Sequence, residues 1–139
     1  MPRLESQVDT HGERYATQRA GMLALVDDLR ALEARTREAS ARAAPLFERR
    51  GQLLPRERVA RLLDPGSPWL ELSTMAGHLL DDADPARSVP GAGVICGIGF
   101  VAGARCLVSA SDSGIDAGAI QSMGREKMLR AQQIAMENK

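Results

Sequence analysis

The sequence predicts an α/β fold in which a long helical arm precedes a β-hairpin and a final helix. Residues 13–44 are dense in helix-forming residues and contain no proline. From Ala92 to Ala110 the pattern changes to a period of two, which is typical of strands. With 139 residues, of which 44% are hydrophobic and 26% charged, the chain is long enough to bury a core.

The helical arm carries one apolar stripe. Met22, Leu25, Leu29 and Leu32 recur at spacings of three and four, which places them on one face. Because a helix gains most of its stability from tertiary packing, we expect this face to dock on the rest of the fold or on another subunit.

A second, shorter helix is predicted after the arm. Gly51 ends the first helix, and Pro55 suits the first helical turn, where its missing N–H costs nothing. Val59, Leu62 and Leu63 are expected to form the apolar face of this helix.

A turn, a short strand and a polar loop are expected next. Residues 64–68 read Asp-Pro-Gly-Ser-Pro and predict a stop and turn. Residues 69–73 alternate like a strand with one buried face, and residues 77–88 are polar enough to form a loop.

The second half of the chain predicts a hairpin. Residues 94–101 and 104–110 read as strands, and Ala102–Gly103 is a two-residue connection with a glycine available for positive φ. This register places Ile98 opposite Leu107.

Glycines around the hairpin do not form a dinucleotide-binding fingerprint, since they lie in or before strands and no helix follows at once. Gly97 and Gly99 weaken a strand, so they predict the close approach of another part of the backbone.

A loop of small residues, 111–119, leads into a helix over residues 121–137. Its predicted buried side consists of Ile120, Met123, Ala131, Ile134 and Ala135. Small residues before a helix N-terminus suit a phosphate or a developing oxyanion, and an ordinary strand–loop–helix connection is the alternative. Asp112 and Asp116 are either a carboxylate pair or residues that bond nearby backbone N–H groups.

Composition and spacing argue against several other functions. The formal net charge is zero and only 3% of residues are aromatic, which disfavours a nucleic-acid or anionic-membrane binder. No metal site is expected, because His11 and His78 lack zinc-ligand spacing. Residues 1–5 contain no signal-peptide core, and the two cysteines, Cys96 and Cys106, are expected to be free thiols, so the predicted location is cytoplasmic.

Four segments, in order along the chain, resemble one family. They are LLPRERVARLLDPGS at 53–67, the hairpin at 93–110, the loop at 111–123 and LRAQQIAMEN at 129–138. Together they resemble the carboxyltransferase (beta) subunit of biotin-dependent acyl-CoA carboxylases, in the methylcrotonyl-, geranyl- and long-chain acyl-CoA branch. Residues 116–119 depart from the Gly-Gly pair and aromatics of methylcrotonyl-type chains, which leaves the acyl group open.

The resemblance implies a crotonase-like (ClpP/crotonase) ββα superhelix. Residues 1–50 would form an N-terminal helical arm, and residues 51–139 the first part of the carboxyltransferase N-terminal domain. In this family a further strand and a second glycine-rich loop follow the last helix, so we expect the superhelix to be incomplete and the chain to be truncated at Lys139.

The resemblance also implies function and site. The chain would transfer a carboxyl group from carboxybiotin, carried by a biotin carboxylase/biotin carrier (alpha) subunit, to an acyl-CoA, within a homo-oligomer and with no covalently bound cofactor of its own. The implied thioester contacts are the backbone N–H groups of Gly118 and Ala119. The implied CoA-lining residues are Ser111, Asp112, Gly114 and Ile115, with Arg125, Lys127 and Arg130 near the CoA phosphates.

Two alternatives stay open beside this interpretation. The same fold serves the carboxyltransferase of biotin-dependent decarboxylases. A non-catalytic scaffold that keeps the arm and half of the core is also consistent with the sequence. On the acyl-CoA carboxylase interpretation, residues 1–139 alone are expected to lack carboxyltransferase activity.

Overall fold

The computed structural model describes residues 6–138. The predictions that concern residues 1–5 and Lys139 lie outside these residues. Within the described part, helices and strands follow one another in this order: α1 (Glu13–Ala41), α2 (Ala44–Arg49), α3 (Pro55–Leu62), β1 (Leu70–Glu71), β2 (Val94–Val101), β3 (Ala104–Ser111), a 3-10 turn (Asp116–Gly118) and α4 (Ser122–Glu137).

The chain divides into two compact units between Ala31 and Leu32. The first unit contains the N-terminal part of α1, where Met22 and Leu25 of the predicted stripe are 61% and 64% exposed. The predicted docking of this stripe therefore stays a prediction, as does the domain boundary at residue 50.

The second unit begins within α1 and contains all the other helices and strands named above. The predicted arm is interrupted, since α1 ends at Ala41 and the six-residue α2 follows it. Helix α3 begins at Pro55 as predicted, and the Glu57 carboxylate accepts a hydrogen bond from the Leu54 N–H at 3.0 Å. Val59 is buried, whereas Leu62 on the last turn of α3 is half exposed, so its predicted burial is wrong.

The sheet is antiparallel, with β2 between β1 and β3. The predicted register is confirmed, because Ile98 lies opposite Leu107. The predicted strand over residues 69–73 is reduced to Leu70–Glu71. Leu70 points outward, because the half-buried Trp69 and Glu71 occupy the inward side.

Close approach at the two strand glycines is confirmed. A Cβ on Gly97 would lie 2.5 Å from the Trp69 ring and 2.6 Å from the Leu70 carbonyl oxygen. A Cβ on Gly99 would lie 2.6 Å from Leu63 Cδ2. The indole therefore packs flat on β2 only because these positions lack side chains.

The hairpin turn has positive φ at both central residues, 50° at Ala102 and 77° at Gly103, as a type I′ connection requires. The Asp64 carboxylate accepts hydrogen bonds from both of these N–H groups at 2.7 Å. The turn after α3 is thereby fixed to the tip of the hairpin.

The core lies between β2 and α4. Val94, Cys96 and Ala131 are buried there, and Leu107 and Met128 pack against them. The predicted buried side of α4 is only partly correct, since Ala131 is buried but Ile120 is half exposed. The helix instead buries Gly124, Lys127 and Ala131. A Cβ on Gly124 would lie 2.6 Å from the Ala92 carbonyl oxygen, so only a glycine permits the helix to approach the backbone this closely.

Candidate functional site

The loop between β3 and α4 contains two successive non-glycine residues with positive φ. Asp116, Ala117 and Gly118 have φ values of 46°, 53° and 84° in succession. A non-glycine residue in this region costs roughly 1–2 kcal/mol, and such strain concentrates at functional sites. The backbone geometry therefore marks the loop over residues 112–121 as a candidate site.

Asp112 anchors the start of this loop. The residue is 1% exposed, and its Oδ1 accepts hydrogen bonds from Ser40 Oγ at 2.6 Å and from the Gly114 N–H at 3.3 Å. Its own N–H donates to the Gly93 carbonyl at 2.8 Å. The structure thus places this predicted CoA-lining carboxylate in the interior, which favours its alternative role of bonding the local backbone.

Arg56 faces the other oxygen of Asp112. Its Nε lies 3.8 Å from Asp112 Oδ2, and neither of these buried atoms has a hydrogen-bond partner among the described residues. The other two guanidinium nitrogens donate to the two carboxylate oxygens of Glu71, each at 3.0 Å. Helix α3, β1 and the loop therefore meet in one half-buried charged network.

Gly114 brings the loop against the end of α1. A Cβ on Gly114 would lie 2.5 Å from Ser40 Oγ and 2.6 Å from the Ser40 carbonyl oxygen. The other two predicted CoA-lining residues are less buried than Asp112, since Ser111 is exposed and Ile115 is half buried. The sequence pattern alone does not separate these environments.

The predicted backbone donors lie within the 3-10 turn and at its end. The Gly118 N–H donates to the Ile115 carbonyl at 2.9 Å, and the Ala119 N–H donates to the Asp116 carbonyl at 3.0 Å. Contact with a thioester oxygen would require these bonds to be shared or opened. Their role in catalysis stays a prediction.

The three predicted cations of α4 are not brought together. The Lys127 ammonium is buried and donates to the Val94 carbonyl at 2.6 Å and the Gly91 carbonyl at 3.4 Å. Arg125 and Arg130 are exposed, and their guanidinium groups bond Glu126 at 3.0 Å and Gln133 at 2.8 Å. Contact of Lys127 with CoA phosphates, which stays a prediction, would require these carbonyl bonds to break.

Burial lowers the pKa of Lys127 below the ordinary lysine value, because desolvation penalises the charged form. The nearby Glu71 and Cys96 oppose this shift, whereas Arg56 adds to it. Burial likewise raises the pKa of the Cys96 thiol, so this cysteine is a poor nucleophile. Cys96 lies opposite Ser109 and Cys106 lies opposite Gly99, so the two thiols do not face each other in the ladder.

A cleft that the sequence does not predict lies beside the loop. Its volume is about 750 Å³, and it lies where the segment between α2 and α3 meets the loop after β3. Phe47 and Leu53 supply apolar surface, Arg50 and Arg58 supply positive charge, and Ala117 belongs to the loop wall. In the sequence, residues 50–55 predict only a break between helices, and the loop lies some sixty residues away, so no local signal connects them.

Among residues 6–138, no group of three or more His, Cys, Asp or Glu side chains is arranged to hold a metal ion. In the same part of the chain, no helix has the length and apolar character that a bilayer crossing requires.

Residues 48–139 match the carboxyl transferase domain family. The chain is 40% identical over 139 residues to a probable mitochondrial methylcrotonoyl-CoA carboxylase beta chain of Drosophila melanogaster, covering 98% of this chain and 23% of that protein. It is 50% identical over 90 residues to a biotin-dependent 3-methylcrotonyl-coenzyme A carboxylase beta1 subunit of Mycobacterium tuberculosis, covering 64% of this chain and 16% of that protein.

Among solved structures, the beta subunit of geranyl-CoA carboxylase from P. aeruginosa superposes with a TM-score of 0.87 at 52% identity. The match covers 99% of this chain and 25% of that subunit. The predicted crotonase-like α/β fold is thereby confirmed. The chain spans about a quarter or less of the length of each of these three proteins.

Proposed function

Because this chain belongs to the carboxyl transferase domain family, we propose that it forms part of the carboxyltransferase component of a biotin-dependent acyl-CoA carboxylase. The observation that carries the proposal is the match over residues 48–139, a range that contains the strained loop and most of the adjoining cleft. The reaction is transfer of a carboxyl group from carboxybiotin to the α carbon, or the vinylogous γ carbon, of an acyl-CoA.

The chemistry explains why a loop of small residues is needed. Carboxylation at this carbon passes through an enolate-like intermediate, which places negative charge on the thioester oxygen. Backbone N–H groups held in advance around that oxygen stabilise such charge. Gly118 and Ala119 are the proposed donors, because neither carries a large side chain that would keep a thioester from their backbone; binding would require their bonds to the Ile115 and Asp116 carbonyls to be shared or opened.

The N-terminus of α4 supports the same location. This helix has 16 residues, and no side chain among the described residues caps its first turn. Its free N–H groups and the positive end of its dipole therefore lie directly after the loop, where they favour an anion.

Substrates and partners follow from the proposed reaction. Acyl-CoA and carboxybiotin are substrates, and the biotin is carried by the alpha subunit of the carboxylase rather than by this chain. We further propose that the arm over residues 1–50 precedes the first part of the carboxyltransferase N-terminal domain. The protein is proposed to be a cytoplasmic homo-oligomer. The exposed Met22 and Leu25 of the arm are proposed to contribute to its subunit contacts.

Carboxylation by the full-length gene product tests the proposal. The protein is combined with a biotin carboxylase and carrier subunit, ATP, labelled bicarbonate and methylcrotonyl-, geranyl- or longer acyl-CoA. We expect label in at least one acyl-CoA product, and residues 1–139 alone are expected to give none. Decarboxylation of a carboxylated CoA ester without net carboxylation would assign the protein to the decarboxylases. Absence of both reactions despite an active partner would overturn the proposal in favour of a scaffold.

A further inference from the structure

The turn that leads into β2 lies between α4 and the loop over residues 112–121. Gly91, Ala92 and Gly93 have φ values of 92°, 51° and 66° in succession, and Ala92 is 1% exposed. A left-handed conformation at a non-glycine residue is strained and persists only when the surrounding structure holds it. The turn over residues 91–93 therefore needs support from its neighbours.

One buried ammonium supplies this support from the side of α4. Lys127 is 5% exposed, and its Nζ donates to the Val94 carbonyl at 2.6 Å and to the Gly91 carbonyl at 3.4 Å, on the two sides of the turn. No carboxylate among residues 6–138 forms a salt bridge with it. An unpaired buried charge is costly, and an apolar side chain of similar length would fill the same space without that cost. Packing alone therefore does not explain a lysine here.

The same turn contacts the loop at both of its ends. The Gly93 carbonyl accepts a hydrogen bond from the Asp112 N–H at 2.8 Å. A Cβ on Gly93 would lie 3.4 Å from the Ala119 carbonyl oxygen, so the backbone of the turn lies against the residues that carry the proposed N–H donors. A displacement of the turn must therefore move the loop.

We infer that Lys127 is a positioning residue for carboxyl transfer, whose ammonium fixes the turn over residues 91–93 and, through it, the backbone donors of Gly118 and Ala119. The inference rests on the proposed function. In that reaction the acyl carbon loses a proton and takes the carboxyl group from the carboxybiotin nitrogen, and that nitrogen receives a proton in its place. In this role Lys127 touches neither reactant. It acts on the rate of transfer rather than on affinity for acyl-CoA, because the donors stabilise charge that develops only in the transition state.

Steady-state carboxylation by full-length Lys127→Met, with a biotin carboxylase and carrier subunit, tests the inference. We expect kcat to fall by about 10- to 100-fold and the KM for acyl-CoA to change by less than about threefold. Lys127→Arg, which keeps the charge and N–H donors, is expected to recover part of kcat. Amide hydrogen exchange over residues 112–121 is expected to be faster in Lys127→Met. Gln132→Met places the same side chain on the exposed side of α4 and is expected to change none of these quantities.

Gly93→Ala tests the contact between the turn and the loop without altering the ammonium, and it decides the question if Lys127→Met does not fold. The added methyl group would press on the Ala119 carbonyl oxygen, so we expect kcat to fall by about tenfold. Gly66→Ala is the matched control, because Gly66 also has positive φ but nothing within 4 Å. It is expected to leave kcat unchanged.

Unchanged kcat in folded Lys127→Met, or equal kcat in the two glycine variants, would overturn the inference and leave the proposed function intact. A raised KM with unchanged kcat in Lys127→Met would also overturn it, in favour of a direct contact with CoA. Absence of carboxyl transfer by the unaltered protein would overturn both the inference and the proposed function.

Discussion

Asp112 connects three distant parts of the second unit through one carboxylate. It accepts from Ser40 on α1, which is 72 residues away in sequence, bonds Gly114 in the loop and faces Arg56 on α3. At the residue scale this is a structural role, since the side chain has almost no exposed surface. The sequence suggested two roles for Asp112 and did not decide between them, because its partners are far apart along the chain.

Asp112→Ala is expected to lower the free energy of unfolding by about 2–4 kcal/mol, because it leaves the Ser40 hydroxyl and the Gly114 N–H without their acceptor and removes the carboxylate that faces the Arg56 guanidinium. Chemical denaturation measures the change. Ser111→Ala, at the adjacent exposed position, serves as the control and is expected to change stability by less than about 0.5 kcal/mol. Equal stability of the two variants would contradict the anchoring role.

The buried Lys127 is expected to make the free energy of unfolding depend on pH. Because its pKa in the folded protein lies below the ordinary value of 10.5, the unfolded chain binds more protons between the two values. The free energy of unfolding contributed by this group therefore rises with pH across that window. Relative to Lys127→Met, the unaltered protein should gain stability as the pH approaches 10.5. Parallel stability curves for the two proteins would show that burial does not shift this ammonium.

At the scale of elements, the packing of β1 on β2 depends on glycine. Gly97→Ala places a methyl group within 2.6 Å of the Trp69 ring and the Leu70 carbonyl, so the strand pairing must shift. We expect a loss of about 1–3 kcal/mol in unfolding free energy.

Gly21→Ala is the matched control for this substitution. It lies inside α1 with no heavy atom within 4 Å of the added methyl, and it should stabilise the helix by roughly 0.5–1 kcal/mol. A Gly97→Ala protein that is as stable as the unaltered one, with the same Trp69 fluorescence, would refute the close packing.

Sequence patterns predicted the elements that depend on local chemistry. The hairpin register follows from strand alternation and a two-residue turn, and α3 begins at a proline. The buried face of α4 was not predictable in the same way. It is set by backbone carbonyls. The Ala92 carbonyl leaves room only for a glycine at position 124, and the Gly91 and Val94 carbonyls accept hydrogen bonds from Lys127, where an apolar stripe would be expected.

At the scale of the whole molecule, the loop was predictable from the sequence and the cleft beside it was not. The loop was identified from its small residues before a helix, which is a local signal. The cleft was not, because it needs residues 43–58 and residues 113–117 together, and their approach depends on the buried Ser40–Asp112 bond and on the absence of a Cβ at Gly114.

The central claim is that this loop binds the acyl-CoA substrate, and the affinity of the full-length Gly118→Val protein for acyl-CoA tests it most directly. Gly118 has φ of 84°, and a Cβ there would lie 3.2 Å from Ser113 Cβ, so valine must distort the loop. Gly66→Val is the control, since Gly66 also has positive φ but nothing within 4 Å. We predict affinity about tenfold weaker or worse for Gly118→Val and unchanged for Gly66→Val. Equal affinity in both variants would contradict the claim.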